Sequence, residues 1–162
     1  MQTDIGVVFD CNVLLQAAAR KSSPSAACLR LAEKEFIRLY VSEEILTEVA
    51  EVMNRFKVRE QFPELTDEVV KEFLDQLKSV SYSVKFIPKS FSYKRDVDDE
   101  PYINLAVEAK AEFIVTRDKD LLDLMTGYTE ECKDFRRRFH PLKVIGPIEF
   151  LKEIEKTQSS EE

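Results

Sequence analysis

Two short apolar runs constrain this chain more than any other feature. Ile5 to Phe9 and Phe113 to Thr116 are rich in β-branched residues, and each is followed within two positions by an acid, Asp10 and Asp118. Runs of this length and type form buried strands. Ile37 to Val41 and Lys143 to Ile145 repeat the pattern, and Tyr82 to Ile87 alternates as a further strand would. Helical periodicity fills the intervals. It covers Asn12 to Ala19, Ser25 to Phe36, Glu43 to about Phe56 and, behind a Thr66 cap, the stretch to Val80. It returns from Glu100 to Lys110, with Pro101 in the first turn, and from Pro147 to about Glu155. Strands alternating with helices predict an α/β protein with a mainly parallel sheet.

Composition supports one folded unit. Of 162 residues, 44% are hydrophobic and only 3 are glycine, which excludes a collagen-like or low-complexity chain. A single domain over residues 1–156 is expected, with a polar, disordered tail from 157 to 162. Cys11, Cys28 and Cys132 form no Cys-x-x-Cys pair, and His140 is the lone histidine, so a Cys/His zinc site is poorly supplied. No run approaches a membrane span and no signal peptide is evident, so a cytoplasmic protein is expected. The net charge of −7 argues against a generic, charge-driven nucleic-acid binder. It leaves room for an enzyme whose acids gather at a metal.

Four acids have a context that suggests such a site. Asp10 and Asp118 lie just beyond strands, where chemistry gathers in open α/β sheets. Glu48 falls at the edge of the apolar arc of its helix, and Glu44 lies one turn away, where like charges repel. Asp99 starts the Glu100–Lys110 helix, although a capping role would explain Asp98 or Asp99 equally well. Each acid alone has an ordinary explanation as turn residue, cap or solvated flank. Drawn together they would repel, and a hard divalent cation with a preference for oxygen ligands would relieve that. An all-carboxylate metal site suggests phosphodiester hydrolysis.

The chain resembles the PIN domain family, in particular its VapC-type toxins. The matching pieces are Val8-Phe9-Asp10-Cys11-Asn12-Val13-Leu14, Ser42 to Glu48, Asp96 to Ile103, Phe113 to Leu122 and Ile145 to Leu151, in order along residues 5–151. The resemblance implies a three-layer α/β/α fold and a metal-dependent ribonuclease, the toxin component of a type II toxin–antitoxin system. It implies that Asp10, Glu48, Asp99 and Asp118 are catalytic and hold one or two Mg²⁺ or Mn²⁺ ions. Asn12, Thr116, Asp120 and Glu44 would support them, with RNA as substrate, an antitoxin as partner and a homodimer by analogy. Cys11 stands where the family usually has Thr.

Cations near these motifs are candidates for RNA contact. Tyr82 to Arg95 carries Lys85, Lys89, Lys94 and Arg95, no acid, and interleaved Phe86, Phe91 and Tyr93. Basic residues with aromatics suit single-stranded nucleic acid, whereas ordinary core packing is the alternative, favoured for Phe86. Lys94 and Arg95, just before Asp99, are the stronger candidates. Arg20 and Lys21 are expected near the site mouth. Arg136 and Arg137, with Arg138, either grip RNA or balance helix acids. Cys28 reads as buried and Cys132 as a surface residue. Two other functions compete: a catalytically weak PIN domain that binds RNA or protein, and a haloacid-dehalogenase-like phosphatase with Asp10 as nucleophile.

Overall fold

The computed structural model describes residues 5–160. β1 (Gly6–Phe9) is the central strand of a five-stranded sheet. β2 (Arg38–Val41) and β3 (Ser81–Ser83) continue it on one side, and β4 (Phe113–Val115) and β5 (Lys143–Ile145) on the other. The order is β3-β2-β1-β4-β5 and every pairing is parallel. The helices are α1 (Cys11–Ala19), α2 (Pro24–Glu33), α3 (Glu43–Met53), α4 (Phe56–Gln61) and α5 (Asp67–Val80). They continue with α6 (Glu100–Ala109), α7 (Lys119–Leu122), α8 (Glu130–Phe139) and α9 (Pro147–Ser160). Helices flank the sheet in a three-layer α/β/α arrangement.

Local chemistry sets the helix starts. Asp10, Ser23, Ser42 and Thr66 each accept a hydrogen bond from the backbone N–H three residues on, as N-caps do. The helix expected from Glu43 to Phe56 stops at Met53. Arg59 reaches back, donating to the Met53 carbonyl at 2.7 Å and to Asn54 Oδ1 at 2.8 Å, and α4 starts afresh at Phe56. Phe56 therefore leaves the apolar face and is 79% exposed. β3 is shorter than the alternation suggested and ends at Ser83, three residues before Phe86 takes a left-handed φ of 58°. The polar stretch from Thr157 is helical up to Ser160, as part of α9, and residues 161 and 162 lie outside the described residues.

The core is built from the two runs that open the chain's pattern. Val7, Val8, Ile114 and Val115 are fully buried. Phe150 of α9 meets Phe113 edge-on at a centroid distance of 5.4 Å and Phe9 at 6.4 Å. Phe91, Phe135 and Phe139 form a second aromatic group, joining the loop before α6 to α8. Phe91 and Tyr93 are thus core aromatics, while Phe86, expected inside, is the exposed one. Cys132 is buried, not superficial: its sulfur packs where a Cβ on Gly127 would stand, 2.7 Å away.

Replacing Phe150 with alanine removes the ring that ties α9 to β1 and β4. A loss of about 3–5 kcal/mol is expected, read as a lower denaturant midpoint at unchanged slope.

Candidate metal centre

The strand order reverses beside β1. The chain moves outward from β1 through β2 to β3, then returns to the other side with β4 and β5. Such a switch point opens a crevice at the carboxyl ends of the two strands that meet there. Asp10 leaves β1 and Asp118 leaves β4 at that crevice, and the Asp10 N–H donates to the Val115 carbonyl at 3.1 Å. Thr116, fully buried, joins them: its hydroxyl donates to Asp10 Oδ2 and accepts from the Asp118 N–H at 2.9 Å. Asp118 Oδ1 accepts from the Asp120 N–H at 2.9 Å and so caps α7.

A third segment brings two more acids. Asp99 is 7% exposed and heads α6 without making a capping hydrogen bond. Its Oδ2 is buried with no hydrogen-bond partner. Asp96 is half-buried and caps the turn Val97–Asp99 through the Asp98 N–H. One carboxylate oxygen each of Asp96, Asp99 and Asp118 lies within 4.8 Å of the other two. Among the described residues this is the tight acidic cluster. It contains Asp99 and Asp118 from the expected set, with Asp10 adjoining and Glu48 further along the wall. Asp96 carries no signal of this role in the sequence, because its spacing from Asp99 looks like ordinary loop polarity.

Electrostatics match the geometry. Burial pushes the Asp10 carboxyl up from 3.8 to about 6, against the bonds from Thr116 and Val13. Asp99 is pushed well above the carboxylate range, first by burial and then by the facing charges of Asp118 and Asp96. Glu48 is also raised, chiefly by burial, with Asp98 and Glu44 adding repulsion. The Tyr102 hydroxyl donates to Glu48 Oε1 at 2.9 Å and holds it in place. Cys11, half-buried beside these acids, has its thiol pushed up to about 12 by burial and by Glu48 and Asp10, so it stays protonated. An orphaned buried oxygen among converging carboxylates fits a hard divalent cation. Asp96, Asp99 and Asp118 are the residues that would hold one.

The remaining expected site residues divide clearly. Asn12 is exposed in the first turn of α1, and Glu44 is exposed on α3. Asp120 pairs with Arg95 Nε at 2.7 Å, and Asp123 with the same guanidinium at 2.8 Å. Arg95 thus braces the Asp96-bearing loop against α7 instead of facing solvent as a free cation. The same loop is held by Asn104, which accepts from the Ser90 and Phe91 N–H groups, and by Glu100, which accepts from the Tyr93 N–H. Arg136 donates to the Leu124 and Gly127 carbonyls, and Arg137 pairs with Asp134. Arg20 and Lys21 follow the far end of α1, roughly 15 Å along the helix from Asp10. Arg20 lies over the Phe62 ring there, so neither residue sits at the site mouth. Lys94, two positions before Asp96, is exposed, as are Arg117 and Lys119 on either side of Asp118.

A parallel α/β fold with a carboxylate-only cluster at its switch point is an arrangement that can hold a divalent cation. The PIN domain family model matches residues 6–120. The chain is also 34% identical over 153 residues to Uncharacterized protein MJ1680 of Methanocaldococcus jannaschii, covering 94% of this chain and 93% of that protein. The chain belongs to the PIN domain family, whose members are generally nucleases that need a divalent metal. This displaces the phosphatase alternative. Both Asp10 oxygens accept hydrogen bonds here. Among the described residues no helix is long and apolar enough to cross a membrane.

Raised carboxyl values make the metal-free protein weaker at alkaline pH. The stability tied to Asp10 is present below about 4 and lost as pH rises through about 6. The loss tied to Asp99 continues above that. In chelator, Tm should fall by several degrees between about pH 5 and about pH 8. Mg²⁺ or Mn²⁺ should restore it mainly at the alkaline end. Asp99→Asn should raise the metal-free Tm at about pH 8 and abolish the response to metal. A metal-free Tm that climbs with pH would contradict this assignment.

Proposed function

We propose that this protein is a metal-dependent endoribonuclease, the toxin component of a type II toxin–antitoxin pair acting in the cytoplasm. The observation that carries the reading is the buried, partnerless Oδ2 of Asp99 inside the Asp96–Asp99–Asp118 cluster. Mg²⁺ or Mn²⁺ bound there would polarise the phosphodiester, activate water and neutralise charge on the leaving oxygen. The chain's own groups position the rest. Thr116 fixes Asp10 and the Asp118 backbone in one hydrogen-bonded unit. Tyr102 holds Glu48 at the wall of a groove that also includes Asp98. Lys94, Arg117 and Lys119 stand exposed on the segments that carry the acids, where phosphates would approach.

Neither the histidine nor the cysteines compete for a catalytic part. His140 lies by Lys110 and Leu142, before β5, at the opposite end of the sheet. Cys11, Cys28 and Cys132 are free thiols, consistent with a reducing compartment. Residues 43–75 hold 10 acids against 4 bases. Outside Glu44 and Glu48, which line the groove beside the cluster, this stretch carries the exposed Phe56 and suits a basic antitoxin better than RNA. A homodimer completes the reading.

The test is cleavage of a labelled RNA, and of the matching DNA, with Mg²⁺ or Mn²⁺ and with chelator. Asp99→Asn and Asp10→Ala should each lower RNA cleavage about a hundredfold or more. Products should carry 5′-phosphate and 3′-hydroxyl ends. Cleavage that persists in chelator would overturn the mechanism. RNA retained without cleavage in every metal would identify a binding module instead. Expression in cells should arrest growth, and Asp99→Asn should not.

A further inference from the structure

The helix α8 lies beyond the last acid of the cluster in sequence and supplies none of its carboxylates, yet it is built onto the loop that supplies one. The three acids differ in what stands behind them. Asp118 leaves β4 and Asp99 heads α6, whereas residues 84–96, all described, form neither helix nor strand. Asp96 therefore depends on side chains for its place. Three carboxylates within 4.8 Å repel one another when no cation lies between them, and the loop is the part that yields.

α8 grips this loop at three points. Phe135 and Phe139 meet the Phe91 ring edge-on, at centroid distances of 5.5 Å and 5.8 Å. Arg138 donates to the Ser90 carbonyl at 2.8 Å. Glu131, in the first turn of α8, accepts from the Lys94 N–H at 2.8 Å. The next residue, Arg95, is held from α7, where Asp120 and Asp123 take its guanidinium at 2.7 Å and 2.8 Å. The end of α7 is in turn locked to α8. Arg136 donates to the Leu124 and Gly127 carbonyls, and a Cβ on Gly127 would stand 2.7 Å from the Cys132 sulfur. Two consecutive residues, Lys94 and Arg95, are thus fixed by one packed unit, and Asp96 follows directly.

We infer that α8 is a buttress that holds Asp96 in its metal-binding place, with Glu131 and Arg95 as the positioning residues. The inference rests on the metal centre of the nuclease reading above. Neither residue belongs to the cluster, and each acts through Asp96. Groups that orient a metal ligand from behind change metal affinity by about ten- to a hundredfold. Contacts as exposed as these add little to the stability of the metal-free fold. Their effect therefore falls on metal affinity and not on folding.

Mn²⁺ alone is the probe, with the free ion measured by electron paramagnetic resonance. Arg95→Ala and Glu131→Ala should each weaken Mn²⁺ binding by roughly 10-fold or more, while Tm in chelator moves by no more than about 4 °C. Glu131→Gln keeps an oxygen acceptor for the Lys94 N–H and should stay near the parent affinity. Arg95→Lys, which lacks a planar fork to span two acids, should fall between parent and alanine. The deciding comparison uses an Asp96→Asn background. There Arg95→Ala should cost less than about twofold, because the ligand that it positions is already lost. An equal loss with and without the Asp96 carboxylate would reveal a general effect on the fold and overturn the inference. Parent affinity in both alanine variants would overturn it too. Either result leaves the nuclease reading standing. A parent protein that binds no Mn²⁺ would overturn both.

Discussion

The hydrogen-bonded link from Asp10 through Thr116 to Asp118 is the constraint on which the site depends. It joins the ends of β1 and β4, the two strands between which the order of the sheet reverses. Because Thr116 is fully buried, both of its bonds are shielded from water, and losing either would leave a buried polar group unpaired. Asp118 therefore leaves β4 in a fixed direction, and its carboxylate meets Asp96 and Asp99 across the crevice. Other features of the sheet, including the parallel register of β1 against β4, serve to keep this link in place.

A cluster of buried acids is unfavourable by itself, and the fold compensates around it. Asp99 and Asp10 both sit where burial disfavours their charged forms. The segment that carries Asp96 has little regular structure. It is held by side chains: Asn104 and Glu100 accept its backbone N–H groups, Tyr93 donates to the Asp120 carbonyl, and Arg95 spans Asp120 and Asp123. Repulsion among Asp96, Asp99 and Asp118 would drive this segment away from α7, and the Arg95 brace opposes that movement. These pairs are partly exposed, so each contributes modestly in water. Together they confine the loop to one arrangement.

Much of this was legible from the residues alone. The strands at Ile5, Ile37, Phe113 and Lys143 follow from runs of apolar, β-branched residues, and the caps at Ser42 and Thr66 from their chemistry. Asp10 and Asp118 could be placed because position after a strand is a sequence property. Asp96 could not, since its approach to Asp99 and Asp118 depends on how a loop folds. The break at Asn54 was hidden for a similar reason: Arg59 supplies the competing hydrogen bonds from six residues away. Which aromatics of residues 82–95 are buried is not a sequence property, because burial of Phe91 and Tyr93 depends on α8, whose aromatic face comes from a distant part of the chain.

The fate of the basic residues shows why charge counting is a poor guide to a binding surface. Arg95, Arg136, Arg137 and Arg138 look like phosphate ligands in the sequence, yet each is committed to an acid or a carbonyl within the fold. Guanidinium groups suit this role, since their planar donors can satisfy two acceptors at once. Arg136 does so at Leu124 and Gly127, fixing the turn that follows α7. On the segments that carry the cluster, Lys94, Arg117 and Lys119 face solvent. The net charge of −7 therefore understates the local attraction for a phosphate once the acids of the cluster are neutralised by a cation.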